Sequence, residues 1–159
     1  MTDQGLTHVA LAVTDVARSV RFYADYAGFQ VVHERHDDDT GSAVVWISDL
    51  TRPFVLVLIQ VAEVAHLLSG YNHLGVGVAS RDEVDRLATR AHGEGRLRLG
   101  PVDAGYPVGY WAIIGDPDGH HLEVSHGQEV GVTVRGRVVK PDHSPDATAH
   151  PSDRPIERS

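Results

Sequence analysis

Leu6 to Val13 reads LTHVALAV and Tyr71 to Val78 reads YNHLGVGV, two strand-like stretches with a histidine at the third position of each. One offset of 65 residues carries His8 onto His73, Val13 onto Val78 and Gly28 onto Gly93. A repeat in sequence at that period implies a repeat in space. Side chains alternate along a strand, so Val9, Leu11 and Val13 share one face while His8, Ala10 and Ala12 share the other. In the second stretch Leu74, Val76 and Val78 oppose His73, Gly75 and Gly77. The bulky face suits packing under a helix. The histidine face carries the smallest side chains, which leaves room in front of it for something other than protein.

Each stretch precedes a helical pattern. Asp15 to Ala27 places Val16, Val20, Tyr23 and Ala27 on one face, with Thr14 or Asp15 as cap. The second helix opens on Ser80 and Glu83, a capping box, and buries Val84, Leu87, Ala88 and Ala91 before Gly93. Three strands follow the first helix, at Gln30 to His36, Ala43 to Ser48 and Phe54 to Val61, joined by the turn sequences DDDTG and DLTRP. Three more follow the second, at Leu97 to Val102, Gly109 to Ile114 and His120 to His126, the last two joined by the tight turn DPDG at Asp116 to Gly119. Each half therefore reads βαβββ.

Composition narrows the function. With 159 residues the chain fits one domain over 1–135, with module one at 5–61 and module two at 71–128. Beyond Gly136 there are no aromatic residues and four of the eight prolines, so 136–159 is expected to be a disordered tail. A formal net charge of −8 argues against nucleic acid, which needs a basic surface to displace counterions. No apolar run is long enough to span a membrane, and MTDQGLTH lacks the features of a signal peptide, so a cytoplasmic location is expected. There is no cysteine, which excludes disulfides and sulfur-ligated metals. A metal here must be held by nitrogen and oxygen.

A strand, a helix and three strands, given twice with an inward histidine at each start, resembles the vicinal oxygen chelate superfamily. This group includes glyoxalase I, extradiol dioxygenases, fosfomycin-resistance enzymes and bleomycin-binding proteins. The resemblance rests on THVALAV followed by DVARSVRFYADYAGF, on NHLGVGV, and above all on GDPDGHHLE. It implies an α+β fold in which two tandem βαβββ modules form a half-open, cup-shaped mixed β-barrel with flanking helices. It also implies a divalent metal (zinc, nickel, iron(II), manganese or cobalt) held by His8, His73 and Glu123, and a homodimer that acts on a small-molecule substrate. The family's fourth ligand falls near Val57, which is apolar. Glu123 is the catalytic candidate, and His121, on the same strand face, is a candidate to line the site or support the carboxylate. His120 and His126 have the opposite parity and face away. His33, His36, His66 and His92 read as surface or edge residues. Tyr106, Tyr110 and Trp111 are candidates to wall the cavity.

Two histidines and a carboxylate suit either oxygen chemistry at iron(II) or Lewis-acid chemistry at another divalent ion. By resemblance, a ring-cleaving dioxygenase would carry a tyrosine where this chain has Ile113, and a fosfomycin-resistance enzyme would carry a threonine where it has Ala10. The expectation is therefore a metal-dependent, glyoxalase-like isomerase or lyase acting on a substrate with adjacent oxygens, with proton transfer involving Glu123. The alternatives are a non-haem iron dioxygenase of the same superfamily and a non-catalytic small-molecule or antibiotic-binding resistance protein.

Overall fold

In the computed structural model, which describes residues 3–138, the elements follow the expected order twice. The first module is β1 (His8–Val13), α1 (Val16–Ala27), β2 (Gln30–His36), β3 (Ala43–Ser48) and β4 (Val55–Gln60). The second is β5 (Leu74–Gly77), α2 (Arg81–Gly93), β6 (Leu97–Asp103), β7 (Tyr110–Gly115) and β8 (His121–His126). Each module forms a four-stranded mixed sheet, with orders β1-β4-β3-β2 and β5-β8-β7-β6. The first strand of each module lies parallel to its last, and the remaining pairs are antiparallel. The sheets are not hydrogen-bonded to each other, so no closed barrel forms.

Local chemistry explains the helix ends. Asp15 is extended and its carboxylate accepts from the Arg18 N–H at 2.9 Å, so Asp15 rather than Thr14 caps α1. Gly28 ends the helix in the left-handed region at φ 68°, which glycine adopts without a Cβ penalty. Ser80 caps α2 through the Glu83 N–H at 3.2 Å. The reciprocal half of the expected capping box is absent, because the Glu83 carboxylate grips Arg86 at 2.7 and 2.8 Å instead.

The core is one apolar cluster drawn from both modules. α2 buries Val84, Leu87, Ala88 and Ala91 as its spacing predicts. α1 is rotated from its expected face. It buries Val16, Ser19, Phe22, Tyr23 and Tyr26, leaving Val20 and Ala27 half-buried. Large aromatic rings bury more surface than valine or alanine, so they claim the centre of the face.

The modules are joined through the DPDG turn. Asp116, only 2% exposed, accepts from the backbone N–H groups of Asp118, Gly119 and His120 at 2.8 to 2.9 Å, and from the Tyr23 hydroxyl of α1 at 3.1 Å. Burial first, then the Asp116 charge, pushes the Tyr23 phenol well above its ordinary pKa, so it remains a donor. Asp118 takes the backbone N–H and the hydroxyl of Thr14, in the β1–α1 connection. His120 is buried with both ring nitrogens engaged: Nε2 donates to the Ala12 carbonyl at 2.8 Å, and Nδ1 accepts from the Leu68 N–H at 3.1 Å. A second link joins the helices. The Tyr26 hydroxyl donates to Glu94 at 2.9 Å, and Arg90 reaches both Asp25 and Glu94. Burial and that hydrogen bond push the Tyr26 phenol up to about 12.

The chain separates into two compact units, one ending at Glu129 and the other beginning at Val130. The second contains α3 (Val130–Val138), whose first seven residues include Val130, Val132 and Val134, all more than half exposed. The expected tail at 136–159 begins within this helix, and 139–159 lies outside the described residues.

Replacing Asp116 by alanine strands three backbone donors and a buried phenol. The expected loss of folding stability is about 3 kcal/mol or more, against about 1 kcal/mol for Tyr23→Phe. Chemical denaturation of both variants checks the order.

Candidate metal centre

His73 lies immediately before β5, and Glu123 is the third residue of β8. Gly75 pairs in register with Glu123, and a Cβ built on Gly75 would lie 4.0 Å from Glu123 Oε1. The glycine therefore keeps open the space into which the carboxylate projects. Glu123 is 6% exposed, buried enough that its oxygens need partners. Gln128 Nε2 donates to Oε1 at 3.3 Å, and His73 Nε2 stands 3.5 Å from Oε2.

The tautomer of His73 is set by its other nitrogen. Nδ1 lies 3.0 Å from the Tyr71 carbonyl, which can only accept, so Nδ1 carries a proton. In the neutral imidazole, Nε2 then presents a lone pair to an ionised carboxylate oxygen. Two acceptors face each other, and either a proton or a cation must lie between them. The spacing suits a cation. Two ligand bonds of about 2.1 Å meeting at the tetrahedral angle place their donor atoms about 3.4 Å apart. A ligating histidine whose second nitrogen donates to a carbonyl is also the ordinary arrangement at metal sites.

His8 stands elsewhere. It opens β1 in the other sheet, with Nδ1 3.0 Å from the Thr7 hydroxyl, and it lines a hollow of about 730 Å³ in module one. Among the described residues no three His, Asp or Glu side chains come together as a metal-binding group. The structure thus brings His73 and Glu123 together and leaves His8 apart. Val57 pairs with Ala10 as Glu123 pairs with Gly75, which makes it the repeat counterpart of the acid. Module one therefore offers a histidine with no carboxylate at the equivalent strand position.

The remaining candidates fall into place by register. His121 begins β8, and its Nδ1 is buried with no hydrogen-bond partner among the described residues. His120 is a core cross-link, and His126 donates from Nδ1 to the Val78 carbonyl at 3.1 Å. Ile113 lies directly opposite Glu123, so no phenol stands at that position. Trp111 shares the Glu123 face, two residues along β7. Tyr110 faces the other way, donating to Asp85, and Tyr106 is exposed. Gln128 escaped the reading of the sequence, because it lies beyond β8 where strand alternation has ended. His33 is exposed on the edge strand β2, as its sequence position suggests. After the bulge at Val32 its ring stands beside Trp46, with ring centroids 5.0 Å apart.

Comparison with known proteins follows this geometry. A family model described as the glyoxalase/bleomycin resistance protein/dioxygenase superfamily matches residues 5–124. An uncharacterized protein of Pseudomonas aeruginosa is 38% identical over 129 residues, covering 79% of this chain and 91% of that protein. Among solved structures, a possible glyoxalase from Bacillus cereus superimposes with a TM-score of 0.60 at 24% identity, covering 77% of this chain and 99% of that one. The trypanothione-dependent glyoxalase I of Leishmania major gives 0.61 at 17%, covering 86% and 96%. A mutant of the fosfomycin resistance protein FosX from Listeria monocytogenes, complexed with Mn(II), gives 0.62 at 18%, covering 84% and 99%. At these identities the solved structures establish the shared fold.

Gly75 has no left-handed backbone requirement, so a valine there is compatible with the strand. Gly75→Val is expected to keep the fold but fill the space before Glu123, weakening Zn(II) or Mn(II) binding at least tenfold. Calorimetric titration of the metal, alongside thermal melting, checks both halves.

Proposed function

Because the chain belongs to the glyoxalase/bleomycin resistance protein/dioxygenase superfamily, we propose that it is a divalent-metal-dependent, glyoxalase-like isomerase or lyase that works as a homodimer. The observation that carries this reading is the lone pair of His73 Nε2 facing Glu123 Oε2 at 3.5 Å. His73 and Glu123 form the half-site in module two, and His8 of a second copy is the third ligand. The hollow beside His8 then becomes the substrate chamber, facing the acid of the other chain. Metal-bound relatives support the choice of cofactor, since FosX from Listeria monocytogenes is seen with Mn(II).

The ion, when bound, supplies Lewis-acid polarisation of neighbouring substrate oxygens. The protein's own groups do the rest. Gln128 holds one oxygen of Glu123, fixing the plane of the carboxylate. The buried acid takes a proton from one carbon and returns it to the neighbouring carbon, so an isomerisation balances without any other reactant. The Tyr71 carbonyl keeps His73 in the tautomer that leaves Nε2 unprotonated. Ile113 beside Glu123 supplies no acid or base of its own, which counts against ring-cleaving chemistry.

One observation favours a second reading. The module-one hollow is complete within a single chain and mostly apolar, so a small molecule can be sequestered there without any metal. Elemental analysis separates the two: about one ion per chain for the enzyme, none for a pure binder.

The shared site has a sharp test. A chain carrying His8→Ala and a chain carrying Glu123→Gln are each expected to be inactive, with loss of at least a hundredfold in turnover. Co-expressed as a mixed dimer, they restore one intact site. Recovery of activity and of half the metal content supports a site built from two chains, and no recovery on either measure sinks it.

A further inference from the structure

The hollow of module one carries a recognition element that the metal half-site does not explain. Its floor follows from register. Ala10 pairs with Val57, Val57 with Trp46, and Val44 with Ile59, so these side chains share the face opposite the core. That floor is apolar and aromatic. Strict alternation along β2 would send Arg35 to the same side as Val31, which pairs with the core residue Ile47. The bulge at Val32 inserts one residue and reverses the parity, so Arg35 pairs with Val44 and stands at the hollow instead. Arg52, from the connection between β3 and β4, also lines the hollow.

Neither of these two guanidinium groups makes a hydrogen bond to a carboxylate among the described residues, and Arg35 has only a loose ion pair. Arg81 is held by Asp103, Arg86 by Glu83, and Arg90 by Asp25 and Glu94. Arg52 makes no side-chain hydrogen bond or ion pair among the described residues. Arg35 has Asp37 at 3.7 Å, beyond hydrogen-bond reach, and that carboxylate already accepts from Asp39 and Thr40 in its own turn. Among the described residues, Asp3 is the one carboxylate lining the hollow. A chain of net charge −8 thus places two guanidinium forks, neither hydrogen-bonded to a carboxylate among the described residues, over an apolar, tryptophan-bearing floor.

We infer that this hollow selects small carboxylates with an apolar or aromatic body, the anionic end held by Arg35 and Arg52 and the body laid on Trp46 and Val57. Guanidinium forks match a carboxylate through paired, charge-assisted hydrogen bonds, and an aromatic floor accepts a planar body. As a statement about substrate, the inference rests on the reading of the hollow as the chamber beside the metal. As a statement about binding, it stands without metal.

The test is calorimetry on the full chain with a chelator present, using three probes of nearly the same shape: phenylacetate, phenylacetamide and phenethylamine. Phenylacetate is expected to bind about tenfold or more tightly than the amide, with phenethylamine weakest. Arg35→Gln and Arg52→Gln are each expected to remove most of that preference, and the double variant all of it. Arg86→Gln, which alters a helix-surface ion pair, keeps it. Equal binding of acid and amide overturns the inference, as does a preference that survives in a folded double variant. Phenylacetate binding that appears only after Zn(II) is added also overturns it while leaving the metal reading intact. Binding retained in Glu123→Gln under chelator supports it whatever happens to the metal.

Discussion

The carboxylate of Asp116 organises the DPDG turn and reaches across to the phenol of Tyr23 in the other module. A buried carboxylate must have its lone pairs satisfied, and here three come from the turn and one from α1. The same few residues therefore set the start of β8 and the docking of the first helix. Asp118 and His120 extend the clasp to Thr14 and Ala12. Because Glu123 lies three residues beyond His120 on β8, the position of the acid depends on a turn whose partners lie in the opposite half of the chain.

The two small-residue faces inherit different chemistry from one ancestral plan. In module two, glycine opposite Glu123 leaves a buried carboxylate beside the Nε2 of His73. In module one the equivalent pair is Ala10 and Val57, and the space becomes an apolar hollow with His8 at its edge.

Much of this was legible before any coordinates. The βαβββ repeat, the burial of α2 and the turn at Asp116 follow from spacing, parity and capping residues, while the lack of a ligand at Val57 was legible only through the family resemblance. Those signals are local: they depend on neighbours within a turn of helix or a pair of strands. The rotation of α1 toward Phe22 and Tyr26 was not legible, because the choice among several apolar stripes is made by the sheet that receives them. The arrival of Arg35 at the hollow was hidden for a similar reason. A bulge reverses side-chain parity, and nothing in QVVHERH marks where it falls.

The order of elements, the duplicated architecture and the equivalent placing of the two histidines were determined by the sequence itself, since hydrophobic period and turn chemistry act over a few residues, while Glu123 was singled out by the resemblance. The tertiary structure decided which donors meet. It placed His73 against Glu123, added Gln128 from beyond the strand, and stationed His8 in the other sheet. Such meetings depend on register between segments far apart in the chain, and a one-residue change of register moves a side chain to the opposite face.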